Sequence, residues 1–367
     1  MKILLLEPYY GGSHRSWADG LVASSSHDIA IYTLPASHWK WRMHGAAVSF
    51  AKRFMEDALR PDLILCSDML DLSTFLGLTV KKSKGVKTAI YFHENQLSYP
   101  WSMTDEDVKR QRDNHYKFIN YSSALAADFV FFNSDYHYAS FFEALLPFLK
   151  AFPDHQNLDT LDAIKSKSQV LNLALDLKKL DGFAKAKISD VPILLWNHRW
   201  EYDKNPDLFF QTLINLKKKG LKFKLVVLGQ AYAKSPKIFE EAQTALNEEI
   251  IHFGYAESQE KYAALLWQAD ILPVTSNQDF FGGSIVEALY CGCIPLLPNR
   301  LAYPQHLGTE GSAYLYETKL EFESTLEKMI SNTAAYKVSF RERVVFYDWS
   351  KSIEQYDSVF QECVNHC

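Results

Sequence analysis

At 367 residues the chain is too long for one ordinary core and suits two domains of about 150–200 residues each. Hydrophobic residues at 47% and charged residues at 23% are globular proportions, which exclude a disordered or fibrous chain. A formal charge of −5 excludes global attraction to nucleic acid, so a polyanion would have to meet a local basic patch.

The N-terminal run MKILLLEPYY is too short for a signal-peptide core, and its Lys2–Glu7 stretch reads as a buried parallel strand. Gly11-Gly12 then opens a helix near Ser13. Strand Asp28–Thr33, helix Ala47–Leu59, strand Asp62–Cys66, helix Leu70–Lys82 and strand Lys87–Phe92 follow. A helical stretch over Val108–Ala126 leads to strand Phe129–Phe132 and a helix from Ser134. Between Ala151 and Asp190 the rhythm pauses, with one short strand at Gln169–Leu171. It restarts with strand Pro192–Trp196, a helix from Asn205-Pro206, strand Lys222–Leu228, a helix from Pro236, strand Ile250–Phe253 and a helix ending near Gln268. Strand Asp270–Val274, helix Gly282–Cys291 and strand Ile294–Leu297 complete the second half; the tail Thr333–Cys367 reads as helical. Strands alternating with helices of this length predict parallel sheets covered on both faces, an α/β fold of two doubly wound halves.

No window of about twenty apolar residues occurs, so no membrane partner is expected and the location is read as cytoplasmic. Cys66, Cys291, Cys293, Cys363 and Cys367 form no disulfide framework. A lone Cys-Gly-Cys is a weak metal motif, so buried thiols are expected there.

Ligands of open α/β sheets bind beyond the strand carboxyl ends, and the chemically loaded residues fall there. Asn197-His-Arg199-Trp-Glu-Tyr-Asp-Lys204 follows a strand directly; an arginine fork and a lysine charge suit a diphosphate. The plainer alternative is a pair of solvated charges near a helix start. Asp279 and Glu287 sit eight positions apart around Gly282-Gly283, whose helix N–H groups can face an anion. Glu287 can accept two hydrogen bonds from a vicinal diol such as ribose. A capping Asp279 and a surface Glu287 are the competing reading.

Arg-x4-Lys followed by [Asp/Glu]-x7-Glu resembles the donor signature of retaining GT-B glycosyltransferases, especially glycosyltransferase family 4. That likeness assigns the diphosphate to Arg199 and Lys204, the ribose to Glu287 and the transferred sugar's neighbourhood to Asp279, which is shorter than the usual Glu. A narrower match lies in Glu7-Pro-Tyr-Tyr-Gly-Gly-Ser-His14, Leu34-Pro-Ala-Ser-His-Trp39-Lys40-Trp41-Arg42, Tyr91-Phe-His93-Glu94-Asn95-Gln96-Leu-Ser-Tyr-Pro100 and Phe131-Phe-Asn-Ser134. With His198-Arg-Trp-Glu201 and Asp279-Phe-Phe-Gly282, these blocks resemble the tRNA-queuosine α-mannosyltransferase family over nearly the whole chain. The long polar insertion that animal members carry near the middle is missing.

The resemblance implies a GT-B fold, two Rossmann-like domains facing a central cleft. The expected division is 1–175 for acceptor binding, 176–190 as linker, 191–345 for the nucleotide sugar, and a C-terminal helix 346–367 returning toward the first domain. It implies GDP-mannose as donor and queuosine in a tRNA anticodon as acceptor, with retention and without a metal or other cofactor. Donor contacts are expected at Gly11, Gly12, His14, Arg199, Lys204, Gly282, Gly283 and Glu287, and catalytic roles at His93, Asp279, Arg199 and Lys204. Acceptor contacts are expected at Trp39, Lys40, Trp41, Arg42, Glu94, Asn95 and Gln96, since interleaved aromatic and basic residues suit bases and phosphates. The plainer reading of Trp39–Arg42 is a helix-packing tryptophan pair flanked by solvated cations. Lys81-Lys82-Ser-Lys84 and Lys109-Arg110-Gln-Arg112 add local charge, while Asp105-Glu-Asp107 reads as a solvated helix start rather than a metal motif. A monomer or weak dimer is expected. A transferase with a polysaccharide, lipid or small-molecule acceptor would keep every donor motif, and a non-catalytic nucleotide-sugar binder or an epimerase would share the architecture. A nicotinamide enzyme is disfavoured, because Gly11-Gly12 is not the dinucleotide fingerprint.

Overall fold

The computed structural model describes residues 1–101, 107, 114–184, 189–230 and 235–365. The chain divides into two compact units, Met1–Leu175 with Trp349–Cys367, and Asp176–Asp348.

In the first unit, β1 (Lys2–Tyr10), α1 (Gly12–Ser24), β2 (Asp28–Pro35), α2 (Trp39–Glu56), β3 (Leu63–Ser67), α3 (Leu72–Ser83), β4 (Lys87–Phe92), α4 (Asn114–Ala126), β5 (Phe129–Phe132), α5 (Asp135–Lys150), α6 (Asp159–Lys165) and β6 (Ser168–Val170) alternate. Their sheet is parallel, ordered β2-β1-β3-β4-β5-β6. The continuous apolar runs of β1 and β3 explain this: Ile3, Leu4, Leu5 and Leu6 are fully buried, as are Leu63, Ile64 and Leu65, so helices cover both faces. Each such side chain stabilises the fold by about 1.5–3 kcal/mol relative to exposure.

The second unit runs through β7 (Ile193–Asn197), α7 (Pro206–Lys218), β8 (Lys224–Leu228), α8 (Ile238–Ala245), β9 (Ile250–Gly254), α9 (Gln259–Gln268), β10 (Ile271–Pro273), α10 (Gly283–Tyr290), β11 (Ile294–Pro298), α11 (Tyr303–Leu307), β12 (Leu315–Tyr316), α12 (Lys319–Ser331) and α13 (Arg341–Val344). Its parallel sheet is ordered β12-β11-β10-β7-β8-β9. The C-terminal α14 (Trp349–Asn365) belongs to the first unit, where Tyr356 Oη meets Trp17 Nε1 (3.2 Å) and Tyr91 Oη (3.2 Å).

Several expectations need correction. The helix expected from Ala47 starts at Trp39, because Met43, Ala46, Ala47, Phe50, Ala51 and Phe54 bury one continuous face. Within residues 176–190, expected as a linker, Leu177–Phe183 forms a 3₁₀ turn of the second unit, and its Asp181 accepts from Tyr290 Oη (2.9 Å) and Arg341 (2.6 Å); residues 185–188 lie outside the described residues. The tail is not one helix. Short turns at Thr333–Tyr336 and Val345–Tyr347 flank α13 before α14 begins. The strand β12 and the helices α6, α11 and α12 were not foreseen, although α12 carries a legible capping box, Thr318 with Glu321.

Candidate active site

Strand order reverses once in each sheet. In the second unit β8 and β9 lie to one side of β7 and β10 to the other, so the loops after β7 and β10 open at a switch point. The first loop is clamped at its base. Trp196 Nε1 donates to His198 O (3.0 Å), and Trp200 stacks on Phe239 with centroids 4.4 Å apart. Lys204 is thereby turned inward. Its ammonium contacts Asp279 (3.0 Å), Asp203 (3.1 Å) and the Gln278 carbonyl. The Tyr303 hydroxyl donates to the other Asp279 oxygen. Burial alone would raise the Asp279 pKa, but Lys204, His198 and Tyr303 outweigh it and hold the carboxyl below its ordinary value. His198 is buried and neutral, its pKa pushed down to about 4 by desolvation. Arg199 takes another course: its side chain is 48% exposed and lies 3.4 Å from Glu201.

After β10, Gly282 caps α10 with φ of +84°, a left-handed conformation that favours glycine. Gly283 is the first helical residue. Asn197, at the end of β7, donates to Ser284 O (3.0 Å) and to Tyr262 Oη (2.9 Å), and Tyr262 donates to Glu287 Oε2 (2.5 Å). Glu287 is thus tied through Tyr262 to the end of β7, while Lys204 and Asp279 pair across the loops that follow β7 and β10, without an ion pair between Lys204 and Glu287 among the described residues. Desolvation raises the Glu287 pKa to about 7, against the opposing Tyr262 hydrogen bond.

The first sheet reverses beside β1, and a second cluster occupies that point. Glu7 is fully buried; it accepts from Tyr9 N (2.9 Å) and Ser67 Oγ (3.1 Å) and pairs with His14 Nδ1 (3.1 Å). Gly11 is the N-cap of α1, and Gly12 is its first residue. His93 packs on His14 with centroids 4.3 Å apart, and its backbone N–H donates to Asp68 Oδ1 (2.7 Å). Its Nε2 is buried without a hydrogen-bond partner. Glu7, His14 and His93 bring ligand atoms within 4.8 Å of one another, the one such set among the described residues, and it closes as the Glu7–His14 ion pair.

The expected acceptor residues divide. Asn95 is fully buried and holds its own turn through Ser98 N (2.9 Å) and Ser98 Oγ (3.0 Å), so it is not offered to a ligand. Gln96 is buried too and donates to Glu94, which is half-buried (3.2 Å). Trp39 packs against Trp101 and Tyr116, as in the packing alternative, whereas Lys40 pairs with Asp107 instead of standing solvated. Asp107 is therefore engaged rather than solvated; Asp105 and Glu106 lie outside the described residues, as do Lys109, Arg110 and Arg112. Arg42 donates to Pro35 O (3.0 Å) and Ser37 Oγ (3.3 Å). Trp41 differs: it is 64% exposed and lies over Gly45, where a Cβ would come within 2.6 Å of its ring. Lys82 caps α2 through the carbonyls of Phe54 and Asp57, whereas Lys81 and Lys84 are exposed. Cys66, Cys291, Cys293 and Cys363 are buried free thiols; Cys367 lies outside the described residues. Among the described residues no helix is long and apolar enough to cross a membrane.

Sequence reasoning missed Asp203, Tyr262 and Tyr303, which hold the second cluster, and the roles of Glu7 and Asp68 in the first. Asp203 and Glu7 lay inside the quoted blocks, but the inward turn of Lys204 onto Asp203 and the contact of Ser67 with Glu7 depend on the fold.

Residues 2–175 match a family model described as tRNA-queuosine alpha-mannosyltransferase N-terminal, and residues 178–343 match one described as glycosyl transferases group 1. Among solved structures, sucrose-phosphate synthase from Thermosynechococcus elongatus aligns over 99% of this chain and 98% of its own, with a TM-score of 0.71 at 16% identity. An E. coli structure titled as trehalose-6-phosphate bound with UDP-2-fluoro glucose aligns over 100% of both chains, with a TM-score of 0.69 at 10% identity. At such identities these likenesses show the fold, GT-B. The tRNA-queuosine alpha-mannosyltransferase of Drosophila melanogaster is 37% identical over 313 residues, 83% of this chain and 81% of that protein. The chain belongs to the tRNA-queuosine alpha-mannosyltransferase family.

Proposed function

We propose that this glycosyltransferase moves mannose from GDP-mannose to queuosine in a tRNA anticodon with retention of configuration. The observation that carries the donor half is the buried Lys204 between Asp279 and Asp203 at the strand switch point, with Glu287 on the adjoining helix. Negative charge builds on the departing phosphate as the glycosidic bond breaks. Lys204, Arg199 and the N–H groups at Gly282-Gly283 meet that charge, which is the work a divalent metal does elsewhere. Glu287 receives the ribose hydroxyls once ionised. Asp279, a carboxylate at neutral pH, stands beside the hexose and restrains Lys204. His93 and Glu94 offer polar groups to sugar or acceptor hydroxyls, and Trp41 stacks on a base of the anticodon loop.

Family membership supports the acceptor, since the Drosophila relative is named for queuosine in tRNA. The test is incubation of queuosine-containing tRNA with a panel of nucleotide sugars, followed by nucleoside mass spectrometry. A hexose added to queuosine from GDP-mannose alone is expected. Hexose transfer only to other acceptors, or GDP-mannose consumption with no acceptor modified, contradicts the reading.

A further inference from the structure

His14 and His93 form a tilted imidazole pair, centroids 4.3 Å apart, with Trp17 and Tyr91 packed on His93 and Tyr9 on His14. Two imidazoles this close in a desolvated pocket strongly disfavour both being imidazolium cations. Something must decide which one is charged. Among the described residues the His14 ring alone of the two meets a carboxylate directly, through Nδ1 and Glu7 Oε2 (3.1 Å), and Glu7 is anchored. Its other oxygen is held by Tyr9 N (2.9 Å) and by Ser67 Oγ (3.1 Å) from the neighbouring strand.

We propose that Glu7 is a positioning residue that assigns the shared proton to His14 and keeps His93 neutral, so that the β1–α1 turn carries a fixed cation toward the anionic part of the donor. The proposal rests on the donor-binding reading of His14. The groups facing this pair are Glu7 from β1, Ser67 and Asp68 from β3 and its loop, and Glu94 from the loop after β4, with Trp17 from α1 and His137 from α5. Burial opposes charge on His14, but Glu7 first, then Asp68 and Glu94, outweigh it and raise its pKa to about 9. Burial, then the charge on His14, keeps His93 well below its ordinary value. A nearby carboxylate orienting a histidine is a general device for fixing its protonation and ring geometry. Here it leaves His93 uncharged, suited to a neutral sugar hydroxyl, and His14 charged, suited to a phosphate.

The experiment follows histidine ring resonances by NMR in the full chain, with His14→Gln assigning the His14 signals, for wild type and Glu7→Gln. Wild-type His14 is expected to stay protonated through pH 8. In Glu7→Gln its titration should move below neutrality. Transfer by Glu7→Gln should stay within about threefold of wild type at pH 5.5 and fall at least about tenfold by pH 8, the loss tracking that titration. Glu7→Gln/His14→Gln should transfer no more slowly than His14→Gln. An unmoved His14 titration, or a loss in Glu7→Gln equal at every pH, overturns the proposal. If the titration moves but His14→Gln leaves the GDP-mannose KM unchanged, the proton assignment stands and the donor-binding reading of His14 fails.

Discussion

The two strand-switch clusters occupy equivalent places in their sheets yet hold charge by different chemistry. In the second unit the cation is Lys204, and two carboxylates, Asp203 and Asp279, press on it. In the first unit it is His14, with Glu7 as its one direct acid. A lysine stays charged across the physiological range, whereas a histidine does so only by virtue of its surroundings. The fold therefore sets where a ligand charge can be met. The side chains set whether that charge is permanent or conditional.

Removing the permanent cation should have the largest effect. Lys204→Ala leaves Asp203 buried without its ion pair and Asp279 with only the Tyr303 hydroxyl among the described residues, which costs about 3–5 kcal/mol of stability, and transfer should fall about 10²–10³-fold or more. Denaturant titration and initial rates measure the two. Stability within about 1 kcal/mol of wild type would mean that the pair is solvated and the contrast between the clusters is wrong. Because the Asp279 pKa is lowered on folding, its contribution is present above the ordinary value of 3.8 and is lost as pH falls through the lowered value. Lys204→Ala should diminish that acid-side loss.

Glu287 sharpens the comparison, since it is the conditional charge of the second unit. Its pKa is raised to about 7, so the neutral form contributes stability that is complete below 4.5 and is lost as pH rises through about 7. GDP binding should run the other way, tightening across the same interval as the carboxylate forms. Glu287→Gln should bind GDP at least about tenfold more weakly and flatten both profiles, since about 1.4 kcal/mol corresponds to tenfold. Calorimetry between pH 5.5 and 8.5 checks the affinity; a wild-type affinity independent of pH would remove Glu287 from the ribose.

A smaller effect belongs to the first unit alone. Trp41→Ala should weaken tRNA binding by about 1–3 kcal/mol while leaving GDP affinity unchanged. Gly45→Ala should act in the same direction by displacing the ring, since a Cβ there would come within 2.6 Å of it. A gel shift with anticodon-loop RNA that is indifferent to both changes would return Trp41 to the surface. The smallest expected effect is none at all: transfer should survive exhaustive chelation. Activity lost on chelation and restored by Mn²⁺ would contradict a site that relies on Lys204 and Arg199.

The strands were legible because β1, β3, β7 and β11 are short apolar runs buried on both faces. Short elements such as β12 were not, since two residues carry no period. Lys204, Asp279 and Glu287 could be picked out by residue type and by position after strands. Their partners could not. Tyr303 and Tyr262 reach the site from α11 and α9, and Asp203 becomes visible only once Lys204 turns inward. The Trp39–Arg42 block shows the same limit: its exposure depends on Trp101, Tyr116 and Asp107, all distant in sequence.

The most direct measurement is isothermal titration of GDP into wild type, Lys204→Ala and Trp41→Ala, each verified as folded at the working temperature. The account predicts saturable binding to wild type and Trp41→Ala with equal affinity, and no detectable heat with Lys204→Ala. Equal binding by all three proteins would contradict it.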